Sequence, residues 1–232
     1  MKLGIMQPYF LPYIGCWQLL NAVDQYVVYD DVNFIKGGWI NRNRLLQNGS
    51  PAYFNVPMVG ASSFKKINEI SINRTPQVLG KPLKTIEQNY RKAPMFEGVF
   101  PLMEEIFRFE TESLSEFLFH SIVSVCAFLG IHTEIILSSE LAKNNDLKGQ
   151  DKVLEICRLL RATEYFNAIG GQALYSKSDF VRAGVTLRFV RTEAIEYSQM
   201  QPVFVPNLSI LDVMMFNTPA TIASFLQRYT LV

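Results

Sequence analysis

Gln7 follows a short apolar run in the stretch Met6-Gln7-Pro8-Tyr9-Phe10-Leu11-Pro12-Tyr13-Ile14-Gly15. Its amide supplies a donor and an acceptor, and Tyr9, Phe10 and Tyr13 supply flat apolar faces for a base or a sugar ring. Two prolines and a glycine confine this stretch to one path, more rigidity than a bland connection needs. The plain alternative is a tight strand-to-helix turn packed by aromatics. A second run is Asp30-Asp31-Val32-Asn33-Phe34-Ile35-Lys36-Gly37-Gly38-Trp39-Ile40-Asn41-Arg42-Asn43-Arg44. Lys36, Arg42 and Arg44 are donors suited to phosphate or carboxylate, and Gly37-Gly38 permits close backbone approach. Asp30 and Asp31 are candidates for catalysis, able to orient a substrate hydroxyl or amine or to hold Mg²⁺. If residues 39–46 form a strand, Asn41 and Asn43 share one face and Arg42 and Arg44 the other, so only one pair points into a cleft. The sequence leaves open which. A hairpin whose arginines pair with nearby acids is the competing reading.

Further along, Pro206-Asn207-Leu208-Ser209-Ile210-Leu211-Asp212 places Ser209 as a helix cap. Asp212, three residues on, reads as its capping-box partner, a structural duty. Gly170-Gly171 is a place where a ligand can be admitted or the chain can simply turn. Other chemistries are missing. His120 and His132 are the only histidines and lack the spacing of a metal helix, so no metal site is expected. Neither a Gly-x-Ser-x-Gly elbow nor a Walker loop occurs. Cys126 and Cys157 fall on apolar helix faces, and nothing marks Cys16 as activated.

The elements that must position these residues alternate. Leu3–Met6 reads as a buried strand, Leu11–Val23 as a helix started by Pro12, and Gln25–Tyr29 as a second strand, a β-α-β opening with parallel strands. Asn48-Gly49-Ser50 predicts a hairpin between 39–46 and 52–56. Lys66–Ile72 alternates as a strand. Residues 76–90 and 96–129 form a helical segment, roughly 76–130 in all. Strands are expected at 133–137, 164–168 and 185–190, helices at 151–161 and 177–183, and a last helix from about 209 to 229, broken near Asn217-Thr218-Pro219. The expected fold is α/β, a mainly parallel sheet with flanking helices, in one domain over residues 1–232. In open parallel sheets ligands bind beyond the carboxyl ends of the strands, which is where the Gln7 and Asp30 runs lie.

Bulk properties fit this picture. The 22 Lys and Arg against 21 Asp and Glu leave a net charge of +1, which gives no reason to expect a nucleic-acid partner. The charge is unevenly placed: residues 31–92 carry ten basic residues against three acids, enough to attract a small anion. Three scattered cysteines make neither a disulfide framework nor a zinc site and point to a reducing, cytoplasmic setting. The N-terminus lacks the apolar core of a signal, and no stretch is long enough for a membrane span.

The Gln7–Gly15 run, the Asp30-Asp31-Val32 and Lys36–Arg44 runs, and Pro206–Asp212 together resemble the WbqC-like protein family, in the family's order and across the whole chain. The resemblance implies a bacterial protein of O-antigen or other surface-polysaccharide clusters, attaching an amino-acyl group such as glycine to an amino sugar. On that reading Lys36, Arg42 or Arg44 holds a diphosphate, Gln7 and Asn41 orient the sugar, and Asp30 or Asp31 assists deprotonation of the acceptor amine. Tyr9, Asn43 and Gly170 complete the expected substrate-binding set, with a nucleotide-activated or lipid-linked amino sugar as the small-molecule partner and the cofactor left open. Cys16 and Asn33 depart from residues common in the family. Tyr13-Ile14-Gly15-Cys16 is also similar to the His-x-Gly-His arrangement of nucleotidylyltransferases, with Tyr13 and Cys16 at the histidine positions. A non-catalytic binding protein of the polysaccharide machinery is the remaining alternative.

Overall fold

The computed structural model describes residues 1–232. The opening is β1 (Lys2–Met6), α1 (Ile14–Asn21) and β2 (Gln25–Val28), with β1 and β2 parallel in the register Gly4 opposite Tyr26. Gly4 is required there, since a Cβ would lie 3.0 Å from the Tyr26 ring. Two small antiparallel pairs follow: β3 (Arg42–Gln47) with β4 (Ser50–Asn55), and β5 (Met58–Val59) with β6 (Ser71–Ile72). Asn48 and Gly49 both have positive φ, 49° and 79°. They make the two-residue turn of the first hairpin.

The helical segment is α2 (Pro76–Tyr90), α3 (Phe96–Arg108) and α4 (Leu114–Leu129). Ser113 caps α4, its hydroxyl accepting from the Glu116 amide, and Gly130 ends it in the left-handed conformation at φ 69°. Both are the caps such residues supply. Then come β7 (Glu134–Leu137), α5 (Gly149–Leu159), β8 (Glu164–Ala168), α6 (Lys177–Arg182), β9 (Thr186–Thr192), α7 (Ile210–Phe216), α8 (Pro219–Phe225) and β10 (Tyr229–Leu231). No helix is long and apolar enough to cross a membrane.

The central sheet has the order β10-β9-β8-β1-β2-β7, parallel except for β10 against β9. Strand alternation divides its side chains between two cores. Tyr26, Val28, Phe166 and Val190 join the larger one with α1, α3, α4 and α7. Leu3, Ile5, Val27, Tyr165 and Phe189 join the smaller one with Val153, Ile156 and Phe180 from α5 and α6. β1 leads through α1 to β2 on one side, while β8 leads through α6 to β9 on the other. The β1–β8 boundary is therefore the sheet's switch point, where a crevice opens beyond the strand ends.

Two expectations fail locally. Residues 66–72 are not one strand: Ile67–Glu69 is a 3₁₀ turn. The Glu69 carboxylate accepts from the Lys66 amide at 2.8 Å, closing the chain on itself instead of leaving it extended. The last helix stops at Phe225, and the chain then turns back as β10, pairing with β9. The side chain of buried Gln18 donates to the carbonyls of Phe225 and Arg228 at 2.8 and 2.9 Å, which holds that turn.

Candidate functional site

The loop after β1 is strained and held from three directions. Leu11 is 1% exposed and has a φ of 41°. A side chain with a Cβ adopts that left-handed conformation at a cost of about 1–2 kcal/mol. The Asn43 side-chain amide donates to the carbonyls of Phe10 and Leu11, both at 3.0 Å. The Ser209 hydroxyl donates to the Leu11 carbonyl at 2.7 Å, and Trp17 Nε1 to the Pro12 carbonyl at 3.0 Å. The Phe10 amide donates to the Trp39 carbonyl at 3.0 Å, and the Ser209 amide to the Arg44 carbonyl at 2.9 Å. All three sequence runs thus meet at one place.

Between them lies a cavity of about 290 Å³ lined by Tyr9, Tyr13, Cys16, Trp39, Arg44 and Asn207, with Pro12 and Asn43. Next to it, at the switch point, is a cleft of about 590 Å³. Met6 and Gln7 at the end of β1 form one side; Asn167 and Ala168 at the end of β8, with Gly170 and Gly171 beyond it, form the other. Tyr29, Gly149, Gln150 and Tyr175 close it, and α5 begins there. Tyr9, Tyr13 and Cys16 line both chambers and form their common wall. Tyr13 lies across the start of α1, which only glycine at position 15 permits: a Cβ would sit 2.5 Å from its ring and from Thr192 Oγ1.

Arg44, not Arg42, faces the cavity. Its guanidinium lies 5.5 Å from the Trp39 ring and donates to the Asn207 carbonyl at 3.2 Å, while Nε is buried without a partner. Arg42 is engaged elsewhere, over Tyr53 at 4.4 Å and hydrogen-bonded to the Gly37 and Gly38 carbonyls. The Asn41 amide donates to the Val56 carbonyl at 3.2 Å, which braces the start of β3 against the segment after β4. Lys36 is exposed outside both chambers. Neither Asn41, Arg42 nor Lys36 lines the chambers, whereas Gln7, Tyr9, Asn43 and Gly170 do.

The two aspartates expected at the chemistry are built into the scaffold. Asp30 is 1% exposed. Its carboxylate accepts from Ser115 Oγ at 2.8 Å, Ser139 Oγ at 2.7 Å and the Ser139 amide at 2.9 Å, tying the end of β2 to α4 and to the turn after β7. Asp31 Oδ2 accepts from Lys143 and Lys152 at 2.9 and 2.8 Å, all three side chains being buried. Burial alone would raise the Asp31 carboxyl, but Lys152 and Lys143 hold it below the usual range, as opposite charges do. Neither aspartate lines the chambers, which argues against a direct catalytic role. With Asp30 next in the chain, the buried cluster holds two lysines and two carboxylates and no excess of either charge. It sits against the cleft wall, with Lys152 Nζ 5.5 Å from the Tyr29 ring.

Asp212 does not complete a capping box. Ser209 Oγ accepts from the Leu211 amide at 3.2 Å, as a cap should, but Asp212 turns into the core. There it accepts from Tyr90 Oη at 2.7 Å, Tyr197 Oη at 2.6 Å and Gln199 Nε2 at 2.8 Å. Burial pushes its carboxyl up, against the lowering effect of these donors.

The shared wall is uncharged. Burial pushes the Cys16 thiol up to about 12 and also raises the Tyr9 and Tyr13 phenols. None of the lining residues of either chamber is His, Asp, Glu or Lys, and no three His, Cys, Asp or Glu side chains converge as a metal-ligand set. Asn167, Tyr175 and Gln150 line the cleft but stand in none of the runs the sequence singled out; Asn207 stands in the Pro206–Asp212 run. Asn167 carried a signal, a polar residue following the buried aromatic pair Tyr165-Phe166 near the end of its strand. Its amide donates to Tyr165 Oη at 2.6 Å and Tyr175 Oη at 3.2 Å, which steadies the β8 side of the cleft.

The chain is 26% identical over 231 residues to the Mycobacterium tuberculosis (strain ATCC 25618 / H37Rv) protein named "Uncharacterized protein Rv1507c", a match covering 97% of each chain. No solved structure matches. The WbqC-like protein family matches residues 7–224, which include every residue of the two chambers except Ile5 and Met6, and this chain belongs to that family.

Proposed function

We propose that this protein is a cytoplasmic bacterial transferase of surface-polysaccharide (O-antigen) synthesis. It binds a nucleotide-activated amino sugar in the switch-point cleft and an activated amino-acyl donor in the adjoining cavity; the sugar's amine attacks the acyl carbon and loses a proton, and the donor's activating group leaves. One observation carries this reading: two chambers of ligand size meet at a single wall of Tyr9, Tyr13 and Cys16. A group transfer needs two reactants held side by side, and holding them so is itself a large part of the catalysis. The cleft suits the nucleotide-sugar. It lies where open α/β sheets bind such ligands, and Gln7 and Gln150 provide amides. The cavity offers aromatic faces and Arg44. The three free thiols accord with a reducing compartment.

Calorimetric titration with a panel of nucleoside-diphosphate amino sugars tests this. Saturable binding, weakened at least about tenfold by Gln7→Ala, is the expected result; no heat across the panel sinks the reading. A non-catalytic binding protein is the second reading, favoured by the lack of an acid or base in either chamber. It predicts the same binding with no turnover when an activated amino acid is supplied. Tyr13 and Cys16, at the histidine positions of the nucleotidylyltransferase pattern, do line the cleft, but both are neutral there. Neither replaces a cation at a phosphate, so no release of pyrophosphate from a nucleoside triphosphate is expected.

A further inference from the structure

Beside the chambers, one stretch of surface combines apolar side chains with lysines; Ile35, at its edge, also lines the cleft. Phe64 is 93% exposed, the most exposed large hydrophobic residue of the chain, and it precedes Lys65 and Lys66. It is not on a loose loop. The Asn33 side-chain amide donates to the Ser63 carbonyl at 3.2 Å, the Phe34 amide to the Lys65 carbonyl at 2.9 Å, and Asn33 pairs with Lys66 as an isolated antiparallel bridge. The backbone on both sides of Phe64 is therefore ordered while its ring points to water.

The neighbouring 33–39 segment continues the pattern. Ile35 is 52% exposed and is followed by Lys36. Beyond it, the Trp39 and Tyr53 rings lie 6.1 Å apart with Arg42 over Tyr53. Val59, 54% exposed, adjoins Gly60, where a Cβ would lie 3.7 Å from Lys65 Nζ. Against Lys36, Arg42, Arg44, Lys65 and Lys66, residues 33–69 hold a single acid, Glu69. Trp39 also lines the cavity, so this surface reaches the cavity's edge.

We infer that this surface, centred on Phe64 with Ile35, Val59, Lys36, Lys65 and Lys66, docks the protein on an anionic phospholipid membrane. Apolar side chains projecting between cations are what an interfacial anchor requires: the rings and aliphatics enter the headgroup boundary while the lysines meet lipid phosphates. The charge distribution argues against a second copy of the chain, since a two-fold contact here would set cation against cation. Single-stranded nucleic acid fits less well. It stacks successive bases on a row of aromatic faces, whereas Phe64 is a single free ring here, Ile35 and Val59 do not stack, and Arg42 already covers a face of Tyr53. The inference is independent of the proposed reaction, because the nucleotide-sugar titration is done in solution without lipid.

Co-sedimentation of the full chain with vesicles tests it. The protein should pellet with phosphatidylglycerol–phosphatidylcholine vesicles, less so as salt is raised, and not with pure phosphatidylcholine. Phe64→Ser should lower the partition coefficient about fivefold, and Lys65→Glu with Lys66→Glu at least about tenfold. The same reversal at Lys81 and Lys84 on α2, exposed there, should leave binding within about twofold of wild type. The melting temperatures of all variants should be unchanged. Failure of the wild type to pellet overturns the inference, as does vesicle binding indifferent to Phe64. A Phe64-dependent dimer in light scattering, or Phe64-dependent binding of an oligonucleotide, without vesicle binding overturns it equally.

Discussion

At the scale of single residues, burial decides what each ionisable group can do. Asp31 and Asp212 are both buried carboxylates, yet they shift in opposite directions. Asp31 faces two ammonium groups, whereas Asp212 faces only neutral donors. A carboxyl held below its unfolded value contributes stability at pH above that unfolded value, and the contribution is lost as pH falls through the folded one. Asp31→Asn, which strands two buried lysines, should therefore cost about 3–5 kcal/mol in urea unfolding at pH 7, a deficit that vanishes in acid. Lys152→Met should cost less, because Asp31 keeps Lys143 as a partner. For Asp212, raised in the fold, the sign reverses: its contribution is full below the unfolded carboxylate value and declines as pH rises through the folded one. The Tyr197 hydroxyl supports the ionised form, so Tyr197→Phe should destabilise by about 1–2 kcal/mol at neutral pH and by less at pH 4. Because Asp30 and Asp31 serve the scaffold, Asp30→Asn and Asp31→Asn should lower the fraction of folded protein while leaving the dissociation constant of that fraction unchanged. A changed constant at full occupancy of the fold would return them to the site.

At the scale of elements, the loop after β1 depends on partners distant in sequence. Asn43→Ala removes both amide bonds to the Phe10 and Leu11 carbonyls and should cost about 2–3 kcal/mol. With Leu11 freed to leave its positive φ, ligand binding should fall further than stability does. Gly15→Ala makes a cleaner separation. The added Cβ displaces the Tyr13 ring from the common wall, so calorimetric affinity should drop while thermal unfolding shifts by only a few degrees. A large loss of stability with intact binding would mean that Tyr13 is packing and nothing more.

At the scale of the molecule, the site exists because two crossovers leave the β1–β8 pair in opposite directions. Gly170 stands at that opening, and a Cβ added to it would meet nothing within 4 Å. Gly170→Leu should therefore fold normally and block the cleft. Gly171→Ala should instead push the Asn167 side chain off the β8 side of the cleft, since its Cβ would lie 2.9 Å from Asn167 Oδ1. The thiols report on the integrity of both cores. Burial pushes Cys16, Cys126 and Cys157 each up to about 12. A thiol reagent at pH 8 should label none until the protein is unfolded, and then all three.

The β-α-β opening, the Asn48-Gly49 turn, the helical segment and the strand at 164–168 were legible in the sequence because local rules govern them: alternation, turn chemistry and caps act within a few residues. So was the importance of the Gln7 run, whose prolines and aromatics constrain themselves. What the side chains of Asp30, Asp31, Arg42 and Asp212 do was not legible. A charge in a motif reads as chemistry until its partners are known, and those partners, Ser115, Ser139, Lys143, Lys152, Tyr53, Tyr90 and Tyr197, lie on other elements. The return of the chain as β10 likewise depends on Gln18, at the opposite end of the sequence. Local sequence determined the elements and gathered the candidates; only tertiary packing chose Arg44 over Arg42, sent both aspartates into the scaffold and set Gly170 opposite Gln7.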